Sequence, residues 1–265
     1  MRIIVTRPRR EADAWVRKLR ALRLDAVALP LIYIGAPPHS DAVAQSWRNL
    51  HQYQAVMFVS SNAVSYFFQS NQPLADDKWA SYAAKVRAWA TGPGTLQALL
   101  AQSVPASSID APAADSKQFD SEALWSRVQS QVKTGDRVLI ARGCSVDPGD
   151  TESVAMNGRP WLADQLTAAG VQVDFVVSYQ RSAPLLDADE LQLMAQASCD
   201  GSLWLLSSSE AVANLMQLST LNWSQARALA THPRIAQTAR DAGFGVVYES
   251  RPLLADVAAS IESLL

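Results

Sequence analysis

The sequence predicts an α/β protein: two similar parallel-sheet domains with helices on both faces, one inserted into the other and joined by a two-strand hinge. Three observations carry that prediction. Short β-rich runs alternate with amphipathic stretches along all 265 residues, the pattern of strands connected by crossover helices. The phrase "MFVSSNAVSYFF" (57–68) returns as "LWLLSSSEAVANL" (203–215): an apolar run, hydroxyl residues, then Ala-Val opening a helix. Other phrases return as well. "VRAWATGPGTLQAL" (86–99) is matched by "ARALATHPRIAQTA" (226–239), and "IIVTRP" (3–8) by "VLIARG" (138–143).

Taken in order, "RIIVT" is a short strand, and residues 10–22 space Ala14, Leu19 and Leu22 among charges as an amphipathic helix does. "AVALPLIYI" (26–34) reads as a strand, and "GAPPHS" (35–40) breaks regularity. "AVMFVS" and "VRAWAT" are strands, each followed by a helix, and a short strand lies near "SSIDAP". A helix at "SEALWSRV" precedes the strand "RVLIAR" (137–142), and the helix "WLADQLTAAG" (161–170) leads to the strand "VQVDFVVSYQ" (171–180). The tail repeats the theme with "SLWLLS", "RALAT", "GVVYE" and a last helix from about Ala255. The turn after Leu19 matches the turn after Leu166. The second has Gly170 as a left-handed cap, where the first has Arg23, which must adopt that geometry less comfortably or avoid it.

The repeated phrases are not in tandem, because the partner of the opening strand–helix pair lies near the C-terminus. The simplest arrangement makes residues 1–35 and 181–265 one discontinuous domain and 36–180 an inserted second domain. The chain then crosses twice, near "YIGAPP" and "SYQRSAP", through strands able to pair as a hinge, and clefts between domains are common ligand sites.

Composition narrows the function. Charged residues make up 18% with a formal net charge of −2, and no long basic run suits a nucleic acid. The densest basic cluster, Arg7, Arg9 and Arg10, reads as a solvated loop. Cys144 and Cys199 lack CxxC spacing and suggest reduced thiols; His39, His51 and His232 are scattered, so no metal site is expected. No Walker motif occurs, and "GPGTLQ" lacks the third glycine of a dinucleotide fingerprint. With no signal peptide and no apolar run of membrane-spanning length, a monomeric cytoplasmic protein without membrane or nucleic-acid partners, metal or organic cofactor is expected.

Parallel sheets gather ligands at the carboxyl ends of their strands, where helix starts offer unpaired N–H groups and partial positive charge. Ser60, Ser61 and Asn62 occupy one such start; Gly92, Gly94 and Thr95 another; Ser208 and Ser209, after Ser207, a third. Such starts bind carboxylates without lysine or arginine. The plainer reading is capping alone, worth roughly 1 kcal/mol per residue, and Ser207 with Glu210 fits a capping box.

In their order, "IIVTRP", "FVSSNAV", "ATGPGT", "VLIARG", "GRPWLADQLTAAGVQV", "VVSYQRSAP" and "LLSSSEAV" resemble the uroporphyrinogen-III synthase family over nearly the whole chain. The resemblance implies a hydro-lyase of tetrapyrrole (haem) biosynthesis that works without a cofactor. It would close hydroxymethylbilane, a linear tetrapyrrole with eight carboxylates, into uroporphyrinogen III with loss of water and inversion of ring D. It also implies that Tyr179, in "VVSYQRS", aids departure of the hydroxyl, and that Arg7, Arg142 and the helix starts meet substrate carboxylates. Two departures stand out. The stretch 145–157 is longer than the family's usual link and reads as a mobile loop or lid. Arg234 and Ile235 stand where many relatives have hydroxyl residues, so Arg234 is the candidate there for a substrate carboxylate. The competing reading is a two-lobed cytosolic binding or sensor module without catalysis.

Overall fold

The computed structural model describes residues 1–70, 79, 81, 85–113, 121–146, 154–156 and 161–265. The chain begins with strand β1 (Ile3–Val5), helix α1 (Arg9–Ala21) and strand β2 (Ala26–Ala28). There follow β3 (Tyr33–Gly35), α2 (Ser40–Arg48), β4 (Ala55–Phe58), α3 (Ser61–Gln69), β5 (Arg87–Ala90) and α4 (Pro93–Ala101). Next come β6 (Ile109–Asp110), α5 (Ser121–Val128), β7 (Arg137–Val146), β8 (Val154–Met156), α6 (Trp161–Ala168) and β9 (Gln172–Ser182). The remainder forms α7 (Ala188–Ala197), β10 (Leu203–Leu206), α8 (Ser209–Leu218), β11 (Arg227–Ala230), α9 (Pro233–Asp241), β12 (Val246–Glu249) and α10 (Leu254–Glu262).

These elements form two compact units. Met1–Tyr33 with Ser182–Leu265 make one, and Ile34–Arg181 make the other. The first unit carries a sheet of order β12-β11-β10-β1-β2, parallel at every pairing. Its central strands are apolar and buried along their whole length, as a parallel sheet covered on both faces requires. One face packs Ile3, Val5, Leu203 and Leu205 against Ala12, Val16 and Leu19 of α1 and Val257 and Ile261 of α10. On the other, Trp204 meets Trp223 and Phe244 and donates its indole N–H to the Ala197 carbonyl at 2.9 Å.

The second unit carries the order β3-β9-β7-β4-β5-β6, with β8 paired antiparallel to the far end of β7. Successive residues of its strands point to opposite faces, so its core is double. Val56, Phe58, Ala88, Leu139 and Val176 pack with Trp47, Phe67, Phe68 and Leu99 from α2, α3 and α4. Met57, Trp89, Val138 and Ile140 pack with Leu124, Val128, Leu162 and Leu166 from α5 and α6. Helices on both faces of a mainly parallel sheet are therefore present.

Several local readings are corrected. The run 26–34 is two strands: β2 joins the first sheet and β3 the second. Pro30 lacks an N–H and interrupts the ladder, although Leu29 and Leu31 still donate to the carbonyls of Val5 and Thr6. β7 runs to Val146, beyond the expected Arg142, because β8 pairs with its end. Arg9 and Arg10 are the first residues of α1 and no loop. The stretch 145–157 lies mostly outside the described residues; its described parts are the end of β7 and β8. Ser207 does not cap α8: the cap is Ser208, whose Oγ accepts from the Glu210 N–H at 3.2 Å. A capping box is present instead at α7, between Asp187 and Glu190.

The matched turns end their helices alike. Leu24 N–H donates to the Leu19 carbonyl at 3.1 Å, and Val171 N–H to that of Leu166 at 3.0 Å. The residue before each is left-handed, Gly170 at φ 78° and Arg23 at φ 63°, so Arg23 takes the strained geometry and does not avoid it.

Candidate functional site

In the second unit, β4, β5, β7 and β9 end on the same edge of the sheet. The step from β4 into α3 is capped by Ser60, which has extended backbone and accepts from the Ala63 N–H at 3.1 Å. Ser61 and Asn62 are the first two residues of α3. The step from β5 into α4 is made by Gly92, with Pro93 as the first helical residue. Phe58 and Ala90 are paired neighbours, so the two helix starts lie side by side. Thr91 ties them: its hydroxyl donates toward the Val59 carbonyl at 3.2 Å and lies 3.5 Å from the hydroxyl of buried Thr95. A Cβ added at Gly94 would meet no described atom within 4 Å, so close approach to the backbone is open there.

Tyr179 reaches this edge through an irregularity. β7 and β9 pair in step from Arg137 opposite Gln172 to Arg142 opposite Val177, but Gly143 then pairs with Tyr179, leaving Ser178 as an extra residue. Without that bulge, Tyr179 would keep the phase of Phe175 and Val177 and point to the α5–α6 face. With it, Tyr179 joins Val176 in the core beside α3. Ser178 is fully buried and its hydroxyl donates to the Arg142 carbonyl at 3.3 Å, holding the bulge. The phenol ring lies over Gly143, where a Cβ would come within 2.4 Å of the ring's Cζ. Ser60 Oγ donates to the Tyr179 hydroxyl at 3.2 Å. The ring of Tyr66 stacks at 6.2 Å, and its own hydroxyl is spent on the Ile34 carbonyl at 2.9 Å.

Ser60, Ser61, Asn62, Gly92, Gly94, Thr95 and Tyr179 are thus gathered at one edge of one sheet. Arg142 is not with them. It follows Ile140 on the opposite face, with its guanidinium 4.1 Å from the Phe175 ring centre, and burial lowers its pKa. Cys144 is buried, and burial pushes its thiol pKa up, which disfavours a thiolate nucleophile.

The first unit builds a similar edge. Thr6, fully buried at the end of β1, donates to the Leu205 carbonyl at 2.8 Å. Ser208 caps α8 and Ser209 is its first residue. His232 caps α9, its Nδ1 accepting from the Arg234 N–H at 3.1 Å, so the exposed Arg234 is the second residue of that helix. Thr238 Oγ1 lies 3.2 Å from Ser209 Oγ, linking α9 to the start of α8. Arg7 follows β1; its guanidinium is 4.3 Å from the Trp15 ring centre and 3.4 Å from the Glu11 carboxylate. Burial lowers its pKa, and Glu11 opposes that shift.

The sequence reading missed Thr6, Tyr66, Thr91, His232 and Thr238. Thr6 and Thr91 were legible as hydroxyl residues directly after apolar strands, and His232 as the residue before a proline that opens a helix. Tyr66 had no such signal. Among the described residues no group of three or more His, Cys, Asp or Glu is placed to hold a metal ion. No helix there is long and apolar enough to cross a membrane.

Residues 13–257 match the family model described as uroporphyrinogen-III synthase HemD. The chain is 30% identical over 250 residues to uroporphyrinogen-III synthase of Salmonella typhimurium (strain LT2), covering 92% of each chain. It is 28% identical over 249 residues to the Escherichia coli (strain K12) protein of the same name, again covering 92% of each. Among solved structures, uroporphyrinogen-III synthetase from Helicobacter pylori 26695 superposes with a TM-score of 0.63 at 15% identity over 100% of both chains. A mutant uroporphyrinogen III synthase from the extremely thermophilic bacterium Thermus thermophilus superposes with a TM-score of 0.54 at 16% identity, over 100% of this chain and 98% of that one. At such identities the structural likeness speaks for the fold alone.

Proposed function

The chain belongs to the uroporphyrinogen-III synthase family, and from that premise we propose how its own residues carry the family's reaction. The protein is a hydro-lyase of haem biosynthesis that needs no cofactor. Its substrate is hydroxymethylbilane: the hydroxyl on the ring A side leaves as water, ring D attacks the electrophilic carbon left behind, and the macrocycle closes with ring D inverted. Tyr179 donates a hydrogen bond to the departing oxygen, which relieves the negative charge that builds there. The observation that carries this reading is the position of the phenol: at the carboxyl end of the sheet and hydrogen-bonded to the Ser60 cap of α3.

The helix starts hold carboxylates. Backbone N–H groups at Ser61, Asn62, Gly94 and Thr95, and at Ser209, lie at the N-terminal ends of helices, where the dipole favours an anion. Arg234, exposed on the first turn of α9, adds a positive charge. A net charge of −2 fits a small anionic substrate held by local donors and gives no field for a nucleic acid. The chain acts as a monomer, which sedimentation equilibrium checks.

The test is the product. Hydroxymethylbilane cyclises on its own to isomer I. With the purified protein and no added cofactor, the uroporphyrin recovered after oxidation should be isomer III. Recovery of isomer I at the uncatalysed rate would leave only a binding module.

A further inference from the structure

We propose that Ser60 and Gly143 are positioning residues for the Tyr179 phenol, and that the Ser60 hydroxyl sets the direction in which that phenol donates. This rests on the reading of Tyr179 as the donor to the leaving oxygen.

A hydroxyl group has one proton and can accept as well as donate, so its neighbours decide which way it points. Ser60 Oγ accepts from the Ala63 N–H at 3.1 Å. One lone pair is engaged there, and the serine's own proton is directed to the phenol oxygen at 3.2 Å. The chain runs from backbone N–H to serine to phenol in one sense, and each bond polarises the next. The phenol oxygen is then an acceptor toward the protein, and its own proton is kept for another acceptor. Charge developing on the phenol oxygen as it donates is stabilised by the serine proton.

Gly143 supplies the seat. Its missing side chain lets the hydroxyl end of the ring lie flat on β7, where a Cβ would sit 2.4 Å from Cζ, 2.6 Å from Cε2 and 2.8 Å from Cε1. Those distances are far inside van der Waals contact. Alanine would lift the end of the ring that carries the hydroxyl, away from the 3.2 Å contact with Ser60. The bulge at Ser178 brings the ring to this face, and Gly143 and Ser60 then fix its height and the sense of its hydrogen bond.

A double-mutant cycle on the full-length protein tests this. Tyr179→Phe alone reports on the tyrosine itself: an unchanged kcat sinks that reading, and this proposal with it. If kcat falls, Ser60→Ala in the tyrosine background should lower kcat about five- to tenfold with little change in KM, the worth of one hydrogen bond. In the Tyr179→Phe background the same change should do nothing further, and Ser60→Thr should restore most of the rate. Gly143→Ala should lower kcat in the same way and likewise add little to Tyr179→Phe. Should Ser60→Ala unfold the protein, Ser60→Gly enters the cycle instead, because glycine is a far better helix cap than alanine. Equal losses from the serine change in both backgrounds, or no loss in either, would show that Ser60 is a cap and nothing more.

Discussion

At the residue scale, the hydroxyls divide into two kinds. Most cap helices or close strand ends, and their removal should be felt in stability. Ser208→Ala removes the acceptor for the Glu210 N–H and should cost about 1 kcal/mol of stability, with activity within a few-fold. Ser209→Ala should likewise leave activity within a few-fold. Tyr179 is the other kind. Tyr179→Phe keeps the ring against Tyr66 and Gly143, so the fold should hold; kcat should fall by about ten- to a thousandfold and KM far less. Steady-state kinetics and thermal unfolding on one set of variants separate the two kinds. Asn62 isolates the backbone contribution. It is the second residue of α3, where proline's ring is tolerated but its N–H is missing. Asn62→Pro should therefore raise KM well beyond the effect of Asn62→Ala at equal folded fraction. Equal KM values would remove the backbone donor from substrate binding.

At the element scale, the two matched helix ends make a controlled comparison. Arg23 and Gly170 both stand left-handed, at φ 63° and 78°. A side chain in that region is strained, and glycine is not. Arg23→Gly should raise stability by about 0.5–1 kcal/mol, since relief of strain is partly offset by a more flexible unfolded chain. That corresponds to about 1–3 °C in Tm for a chain of this size. Gly170→Ala should lose about 1–2 kcal/mol, because it adds the strain and also brings a Cβ within 2.9 Å of the Thr134 side chain. Thermal unfolding of the two variants measures both signs, and a fall in Tm for Arg23→Gly would contradict the strain argument. The phrases themselves were legible because both helix ends place a leucine where its carbonyl closes the turn. The bulge in β9 was not legible. In "VQVDFVVSYQ" Tyr179 keeps the phase of Val171, Val173, Phe175 and Val177, and only pairing with β7 shows that Ser178 is the residue skipped.

At the scale of the molecule, the unit Ile34–Arg181 is continuous in sequence and the other is not. β1 pairs with β10 and β2 in the first sheet, so residues 182–265 alone lack two of its strands and the helix α1. A fragment spanning 34–181 should therefore fold, with a cooperative melt and native-like circular dichroism. A fragment spanning 182–265 should not, since the buried faces of Leu203, Leu205 and Leu229 would be left open. Co-expression of 1–33 with 182–265 should restore some structure. A cooperative melt from 182–265 alone would show that the unit does not depend on its N-terminal strands.

By itself the sequence determined the class of fold, the repeat, and which helix starts carry hydroxyls. Each of these depends on chemistry a few residues long: apolar periodicity, caps, and turn residues. It also carried the ordered phrases by which the family is identified. Tertiary structure alone decided which residues meet. Arg142 is one residue before Gly143 yet lies on the other face of β7, because side chains alternate along a strand. Tyr179 would share that fate but for one extra residue in the register. Ser60, 119 positions away in the chain, reaches its oxygen because β4 and β9 flank β7 in one sheet. Pairing across strands is set by the packing of the whole sheet, and no local pattern in the chain records it.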